Sequence, residues 1–131
     1  RLPAGVLAGV DRAIALASVE LADQGKPTLI HGDIWAGNMI VQPGEGGWRL
    51  AGIVDPGLHY ADAESELAYL EVFGGRRDAF FAAYTARSPL RPGYRRRRLF
   101  YWLKTALLHV WLFGDQYFRD FTAQTAAEIC H

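Results

Sequence analysis

Residues 29–41 read LIHGDIWAGNMIV, with an apolar run on each side of a polar loop. The loop contains His31, Asp33 and Asn38, together with two glycines and a tryptophan. The apolar, β-rich runs predict strand ends, and the glycines between them predict a tight connection. The loop is therefore either a polar turn or a place where side chains are gathered for chemistry, and the rest of the sequence has to separate these two interpretations.

Composition limits the class of protein. The chain has 131 residues, of which 50% are hydrophobic and 13% aromatic, which is enough for one domain with a substantial core and argues against disorder. Lys plus Arg and Asp plus Glu are equal at 14 each. This balance gives no attraction to nucleic acid or to an anionic membrane, so we expect neither as a partner.

Cysteine usage and the apolar segments of the sequence predict where in the cell the protein is found. A single cysteine, Cys130, fits a reducing cytoplasm and is expected to be inert. No signal peptide is visible, and the apolar stretch 99–113 is too short and too polar, with Lys104 and His109, to span a bilayer. Because the chain begins at Arg1 without a methionine, we expect it to be a piece of a longer protein.

The order of predicted elements indicates an α+β fold that is mostly helical. Two β-rich runs, 39–42 and 48–55, predict a hairpin with the five-residue loop PGEGG. In the first helix, apolar residues recur at helical spacing at Val6, Val10, Ile14, Ala17 and Leu21. Helical patterns cover residues 4–24, 61–74, 76–87, about 94–113 and 115–129.

The helix predicted at 94–113 is apolar nearly all round, so it is expected to form the centre of the helical core, with its aromatic residues buried. His109 is expected to be half-buried and hydrogen-bonded. The basic run 95–98 is expected to pair with acids or to face water.

Three polar side chains stand at the edge of the hairpin. Asp33 and Asn38 bracket the loop before its first strand, and Asp55 ends its second strand. Because antiparallel strands joined by a short turn bring their outer ends together, we expect these residues to lie close to one another. Two carboxylates and an amide carbonyl are hard oxygen ligands of the kind that Mg²⁺ takes, and a cation would relieve the repulsion between the carboxylates.

The spacing of these three residues indicates which type of reaction they could serve. Asparagine follows aspartate by five residues, as in the kinase catalytic loop His-x-Asp-x-x-x-x-Asn, and Asp55 stands where the metal-binding Asp-Phe-Gly would fall. The alternative is that Asp33 only caps a turn. Three further acids, Asp62, Glu64 and Glu66, are expected to form a solvated first helical turn rather than a metal cluster, with a smaller weight on Glu66 as a brace of the loop.

At this point the sequence resembles the fructosamine kinase (ketosamine-3-kinase) family, in the aminoglycoside-phosphotransferase-like branch of the protein-kinase fold. The resemblance covers residues 26–118 and rests on LIHGDIWAGNMIV, IVDPGLHYADAESELAYLEVFGG, FFAAY, RPGY and LLHVWLFG. It implies transfer of a phosphoryl group from ATP, with Mg²⁺, to a sugar hydroxyl of a ketosamine, either a small molecule or a glycated protein.

The resemblance also implies roles for single residues. Asp33 would be the catalytic base, and His31 would brace the loop from behind it. Asn38 and Asp55 would hold Mg²⁺ on the nucleotide phosphates. Trp35 would either lie beside the substrate sugar or serve in packing, and both uses are typical of a large aromatic side chain.

The resemblance further implies that residues 1–131 form the kinase-like C-terminal lobe, and that the N-terminal ATP-binding lobe is absent from this chain and should lie upstream. Two positions depart from the pattern. Pro-Gly follows Asp55, where the family more often has Pro-Ala, and Glu66 stands where the broader phosphotransferase branch often has aspartate.

Two other functions remain open. One is a metal-dependent phosphohydrolase that uses His31, Asp33, Asn38 and Asp55; it is disfavoured because His59 is the only other histidine nearby. The other is a catalytically inactive remnant or binding module that lacks the N-terminal lobe. The sequence alone does not identify the phosphate acceptor: the resemblance suggests fructosamines and ribulosamines on protein lysines, and an aminoglycoside or another amino sugar remains open. It carries no prediction of the oligomeric state.

Overall fold

The computed structural model describes residues 1–22, 25–74 and 78–131, and the chain divides into two compact units. One unit consists of Arg1–Gln24 and Arg91–His131, and the other of Gly25–Leu90. The described residues form five α-helices and two small antiparallel sheets, so the predicted α+β class with a helical majority is confirmed.

The first unit is a packing of three helices: α1 (Ala4–Glu20), α4 (Tyr94–Leu112) and α5 (Gln116–Cys130). Asp115 caps α5, because its side chain accepts a hydrogen bond from the backbone N–H of Phe118 at 2.9 Å. The helices close around one apolar cluster, which consists of Val10, Ala13, Leu99, Phe100, Leu103, Ala126 and Ile129.

Arginines of the basic run join these helices. Arg96 on α4 forms an ion pair of 3.1 Å with Glu20 of α1 and donates to the backbone carbonyl of Ile129 on α5 at 2.7 Å. Arg97 is buried and donates to the backbone carbonyl of Pro92 at 2.8 Å. The prediction that this run pairs with acids is thereby confirmed for Arg96.

The helical predictions hold in type and order but need three corrections. Helix α1 ends at Glu20, and residues 23–24 of the predicted helix lie outside the described residues. Ala13 rather than the exposed Ile14 faces the core. In α4 the aromatic residues are not all buried, since Trp111 and Phe113 at its end are exposed. A helix that is apolar all round carries more apolar surface than its two neighbours cover.

The prediction for His109 is confirmed. Its Nδ1 atom lies 2.8 Å from the backbone carbonyl of Thr105, and its ring stacks on Phe118 with 4.4 Å between the ring centroids. Cys130 is a free cysteine whose thiol contacts the carbonyl oxygen of Gly9 at 3.6 Å. None of the described helices is long and apolar enough to cross a membrane.

The described residues of the second unit form four strands and two helices. Strand β1 (Thr28–Ile30) pairs with β4 (His59–Ala61), and β2 (Met39–Gly44) pairs with β3 (Gly47–Ile53). Helices α2 (Ala63–Gly74) and α3 (Asp78–Arg87) follow, and α2 packs against β1. The buried apolar side chains of this unit are Ile30, Leu67, Ala68 and Leu70.

The hairpin is longer than predicted, because its loop has two residues instead of five. Pro43 lies within the ladder, opposite Trp48. A proline is tolerated there because both strands of a two-stranded ribbon are edge strands, which leave backbone N–H groups outside the ladder. Gly46 turns the chain with φ of 84°, a conformation that glycine adopts without strain.

Strand β4 was not predicted. It is only three residues long, and its pairing with β1 joins segments 30 residues apart along the chain, which local pattern does not reveal. The helix predicted from residue 61 therefore begins later, as α2 (Ala63–Gly74), and Asp62 caps it by accepting from the backbone N–H of Glu64 at 3.0 Å. Helix α3 spans Asp78–Arg87; residues 75–77, where we predicted a helix end and a helix start, lie outside the described residues.

Two isoleucines test the helical core. Ile129 is 1% exposed within the apolar cluster, whereas Ile14 is 58% exposed. Ile129→Ala is expected to lower the free energy of unfolding by about 2–5 kcal/mol, because it leaves a cavity. Ile14→Ala, the matched control, is expected to change it by about 0.5 kcal/mol or less. Urea denaturation of both variants measures the difference, and equal losses would contradict the placement of the core.

Candidate active site

The loop of residues 31–38 lies between β1 and the hairpin. It leaves β1 after the buried Ile30 and ends in a short 3-10 turn, Ala36–Asn38, that leads directly into β2. At the outer end of the hairpin, the backbone N–H of Val54 donates to the backbone carbonyl of Asn38 at 2.9 Å. Asn38 therefore pairs with the residue that precedes Asp55. Strand β3 ends at Ile53, so Asp55 follows the second strand by two residues instead of ending it as predicted.

Asp33 and Asn38 are in direct contact. The side-chain amide of Asn38, itself buried, donates to Asp33 Oδ2 at 2.9 Å and to the backbone carbonyl of Asp33 at 2.9 Å. A third residue joins them, because the hydroxyl of Tyr69 donates to Asp33 Oδ1 at 2.5 Å. Each oxygen of the Asp33 carboxylate thus accepts a hydrogen bond from a different part of the chain.

The backbone of the loop is held by Glu66 on α2. Its two carboxylate oxygens accept hydrogen bonds from the backbone N–H groups of His31 at 3.1 Å and Gly32 at 2.7 Å. Hydrogen bonds to a charged acceptor are stronger than neutral ones, and here two successive amides meet one carboxylate. The loop can therefore turn directly in front of the first turns of α2.

The imidazole of His31 holds the same loop from another side. Its Nε2 atom lies 3.1 Å from the carbonyl oxygen of Val54, and its Nδ1 atom lies 3.3 Å from the backbone nitrogen of Asp33. These partners assign the Nε2–H tautomer, which donates to Val54 and accepts from Asp33. His31 thus connects the loop to the strand end that precedes Asp55.

The prediction of a solvated acidic turn at the start of α2 is wrong. Glu64 is only 5% exposed, Glu66 accepts from backbone amides through both oxygens, and Asp62 caps the helix. The reason is that α2 packs against β1, so its first turns meet the polar backbone of the loop. The minor alternative, in which Glu66 braces the loop, is the one that the structure shows.

A close backbone approach at Gly32 shapes the loop. Gly32 has φ of 82°, and a Cβ atom there would lie 2.4 Å from the carbonyl oxygen of Gly57. The same carbonyl is 2.7 Å from Nδ1 of His59, so this histidine contacts the Asp-Pro-Gly segment. Gly57 itself has space for a side chain, since the nearest atom to a Cβ there is 4.0 Å away.

Asp55 has an uncommon backbone conformation. Its φ is 57°, and among the described residues it has the one positive φ found outside glycine. Such a conformation costs of order 1 kcal/mol or more in a residue with a side chain, and residues of this kind concentrate at functional sites. The side chain is exposed, so burial of the carboxylate does not account for the strain.

Trp35 begins the 3-10 turn and is 41% exposed. Its ring lies against Gly37, where a Cβ atom would come within 2.4 Å of two ring carbons. The ring therefore packs on the loop itself and still leaves part of its surface to solvent. Both predicted uses of Trp35, packing and a platform for a substrate, fit this placement.

The ligands available for a metal ion are few. Among the described residues, no group of three or more His, Cys, Asp and Glu side chains is placed to hold one. Asn38 and Asp55 together offer an amide and a carboxylate. Because Nδ2 of Asn38 donates to Asp33, the Oδ1 atom of Asn38 is the one that could bind a metal ion. Two hard oxygen ligands suit Mg²⁺, which keeps several waters and is shared with phosphates, and do not suit a structural zinc site.

Comparison with known proteins identifies the family of the chain. The sequence model of the family described as fructosamine kinase matches residues 7–129. The chain belongs to the fructosamine kinase family. The resemblance stated from the sequence motifs is thereby confirmed.

Relatives in this family come from distant organisms. The chain is 41% identical over 111 residues to a probable ketoamine kinase of Synechocystis, which covers 82% of the chain, and 37% identical over 91 residues to mouse ketosamine-3-kinase, which covers 70%. Among solved structures, a candidate fructosamine-3-kinase of Thermobifida fusca superposes on 97% of the chain with a TM-score of 0.77 and 33% identity.

The chain spans only part of these proteins: 36% of the Synechocystis relative, 28% of the mouse relative and 43% of the Thermobifida structure. Family membership and the α+β architecture are shown for the chain. That the chain takes part in the activity of a whole fructosamine kinase is a proposal.

Tyr69 was not among the site residues predicted from the sequence, and Glu66 was given only a smaller weight as a brace of the loop. A signal for both was present, because Glu66 and Tyr69 are three residues apart on α2 and so share one face of the helix. Once either residue is placed against the loop, the other is placed there too. What the sequence lacks is the pairing of β1 with β4, which brings α2 to the loop.

The two glycines that approach each other offer a matched pair of variants. Gly32→Ala is expected to lower the free energy of unfolding by about 2 kcal/mol or more, because it combines a positive φ with a collision against Gly57. Gly57→Ala, the control, is expected to change it by about 0.5 kcal/mol or less. Thermal and urea unfolding measure both, and a tolerated Gly32→Ala would show that the loop is not held as described.

Proposed function

We propose that this chain is the kinase-like C-terminal lobe of an ATP-dependent phosphotransferase whose acceptor is an amino sugar of the ketosamine type. The observation that carries the proposal is the Asp33 carboxylate, held at both oxygens by Asn38 and Tyr69 on a loop whose backbone is fixed by Glu66. A turn that needed only a polar cap would not require this number of fixed contacts.

Asp33 would act as the base that accepts the proton of the sugar hydroxyl. Phosphoryl transfer needs little covalent help from the protein, so its catalysis is mainly positioning and stabilisation of charge. A carboxylate held at both oxygens meets the demand for positioning. His31 would contribute indirectly, because its ring keeps the backbone at Asp33 in place.

Asn38 and Asp55 would hold Mg²⁺ on the phosphates of ATP. Their oxygen ligands and adjacent positions at the hairpin end support this role, as does the strained backbone of Asp55. When bound, the ion would neutralise charge on the transferring phosphoryl group. By holding the ion, Asn38 and Asp55 would fix its position relative to Asp33.

The substrate class follows from the relatives. The mouse relative is named a ketosamine-3-kinase, and the bacterial one a probable ketoamine kinase. We extend to this chain the expectation of a ketosamine, either a small molecule or a sugar attached to a protein amine. Trp35, partly exposed beside the 3-10 turn, would provide an apolar face for the sugar ring.

The lobe that grips the nucleotide would lie outside these residues. Since the chain spans 36% of the Synechocystis relative, a complete enzyme of that size has room for an N-terminal ATP-binding lobe. The phosphohydrolase alternative gains no support, because the described residues include no group of three or more His, Cys, Asp and Glu side chains placed to hold a metal ion.

The test is phosphate transfer from Mg-ATP to fructosyl-lysine, measured with the chain and with a form extended upstream to the length of the relatives. Asp33→Asn is expected to lower kcat by about 10²–10⁴-fold with little change in Tm, because it removes the base. Asp11→Asn, on an exposed position of α1, is the control and is expected to keep full activity.

Near-normal turnover in Asp33→Asn would contradict the assignment of the base. Absence of transfer by both wild-type forms, to fructosyl-lysine and to other amino sugars, would favour the alternative of an inactive binding module.

A further inference from the structure

Tyr69 lies within the motif IVDPGLHYADAESELAYLEVFGG, where no role was predicted for it, yet its side chain reaches the Asp33 carboxylate in the loop. It lies on α2, and its hydroxyl donates to Asp33 Oδ1 at 2.5 Å while Asn38 donates to Oδ2 at 2.9 Å. The two oxygens of one carboxylate are therefore bound by donors from two separate elements, a helix and the 3-10 turn.

The tyrosine ring is itself held in place. It is half-buried and contacts the ring of Phe73, one turn further along α2, with 4.6 Å between centroids and 42° between ring planes. Burial, reinforced by the hydrogen bond to Asp33 and by its charge, raises the pKa of Tyr69 above its ordinary value. The hydroxyl thus keeps its proton at neutral pH and acts as a donor.

Two fixed donors determine how a carboxylate is oriented. Rotation about its terminal bond would break both hydrogen bonds, so the plane of the Asp33 carboxylate is set by Tyr69 and Asn38 together. Each oxygen of a carboxylate has two lone-pair directions, so one direction on each remains for a further donor. An incoming hydroxyl would therefore meet a lone pair whose direction is already fixed.

We propose that Tyr69 is a positioning residue, which fixes the orientation in which the Asp33 carboxylate receives the proton of the acceptor hydroxyl. This inference rests on the proposed function, since it gives Tyr69 a part in the reaction of Asp33. Tyr69 does not need to touch the sugar, the nucleotide or the metal ion.

The placement of Tyr69 on α2 gives this role a structural basis. Glu66 and Tyr69 lie three residues apart on the same face of one helix. Glu66 holds the backbone of the loop at His31 and Gly32, and Tyr69 holds the side chain of the next residue, Asp33. A single rigid element thus positions both the loop and its carboxylate, which is what a site that depends on orientation requires.

The variant Tyr69→Phe removes the hydroxyl and keeps the ring that packs on Phe73. In the upstream-extended protein, with Mg-ATP and fructosyl-lysine, we expect kcat to fall about 10-fold while KM for either substrate stays within about twofold, as for a lost interaction that acts only in the transition state. Tyr117→Phe, which changes an exposed tyrosine on α5, is the control and is expected to match wild type.

A double variant separates positioning from a purely structural role. In the Asp33→Asn background, Tyr69→Phe is expected to cause no further loss of kcat, because the carboxylate that it orients is gone. Full kcat in Tyr69→Phe, a change confined to KM, or an undiminished loss in the Asp33→Asn background would each overturn the inference.

Different results would contradict the proposed function and the role of Tyr69. Transfer by wild type together with an unaffected Tyr69→Phe would overturn the role of Tyr69 and leave the proposed function standing. Absence of transfer by wild type with any amino sugar would overturn the proposed function, and with it the role of Tyr69 in the reaction.

Discussion

The carboxylate of Glu66 is the interaction on which the rest of the site depends. It accepts the backbone N–H groups of His31 and Gly32, two successive amides that could not pair within β1 once the chain turns away from it. A buried amide without a partner costs about 1–3 kcal/mol, so a loop with this path needs an acceptor at this point. The longer glutamate, which we noted as a departure from the aspartate of the wider branch, reaches both amides from α2.

Several features of the site follow from that constraint. With the backbone fixed at Gly32, Asp33 faces both Asn38 and Tyr69, and Gly32 has to accept a positive φ against the carbonyl of Gly57. The neighbouring Asp55 keeps its own positive φ at the hairpin end. Only Asp55 is strained, since glycine adopts a positive φ freely, and the hydrogen bond from Val54 to Asn38 beside it helps to hold that conformation. Under the proposed function, the polar groups gathered here would serve phosphoryl transfer.

Sequence pattern predicted the local features well and the long-range ones poorly. The five helices, the hairpin and the pairing of Asn38 with Val54 at the hairpin end follow from periodicity and from the antiparallel pairing of a hairpin. The pairing of β1 with β4 was not predicted, since it joins distant segments of three residues each. Without that pairing α2 has no predicted neighbour, so Glu66 was assigned mainly to solvent and Tyr69 was not considered.

Hydrogen exchange at the amides of His31 and Gly32, compared between wild type and Glu66→Gln, measures whether Glu66 holds the loop. Glutamine keeps one acceptor oxygen but turns an NH₂ group toward the other amide, so one hydrogen bond is lost while the size of the side chain is retained. We expect the exchange rate of at least one of these amides to rise by about 10-fold or more, while the exchange rates of the amides in the middle of α2 stay unchanged. Unchanged exchange at both His31 and Gly32 would contradict the view that α2 holds the loop through Glu66.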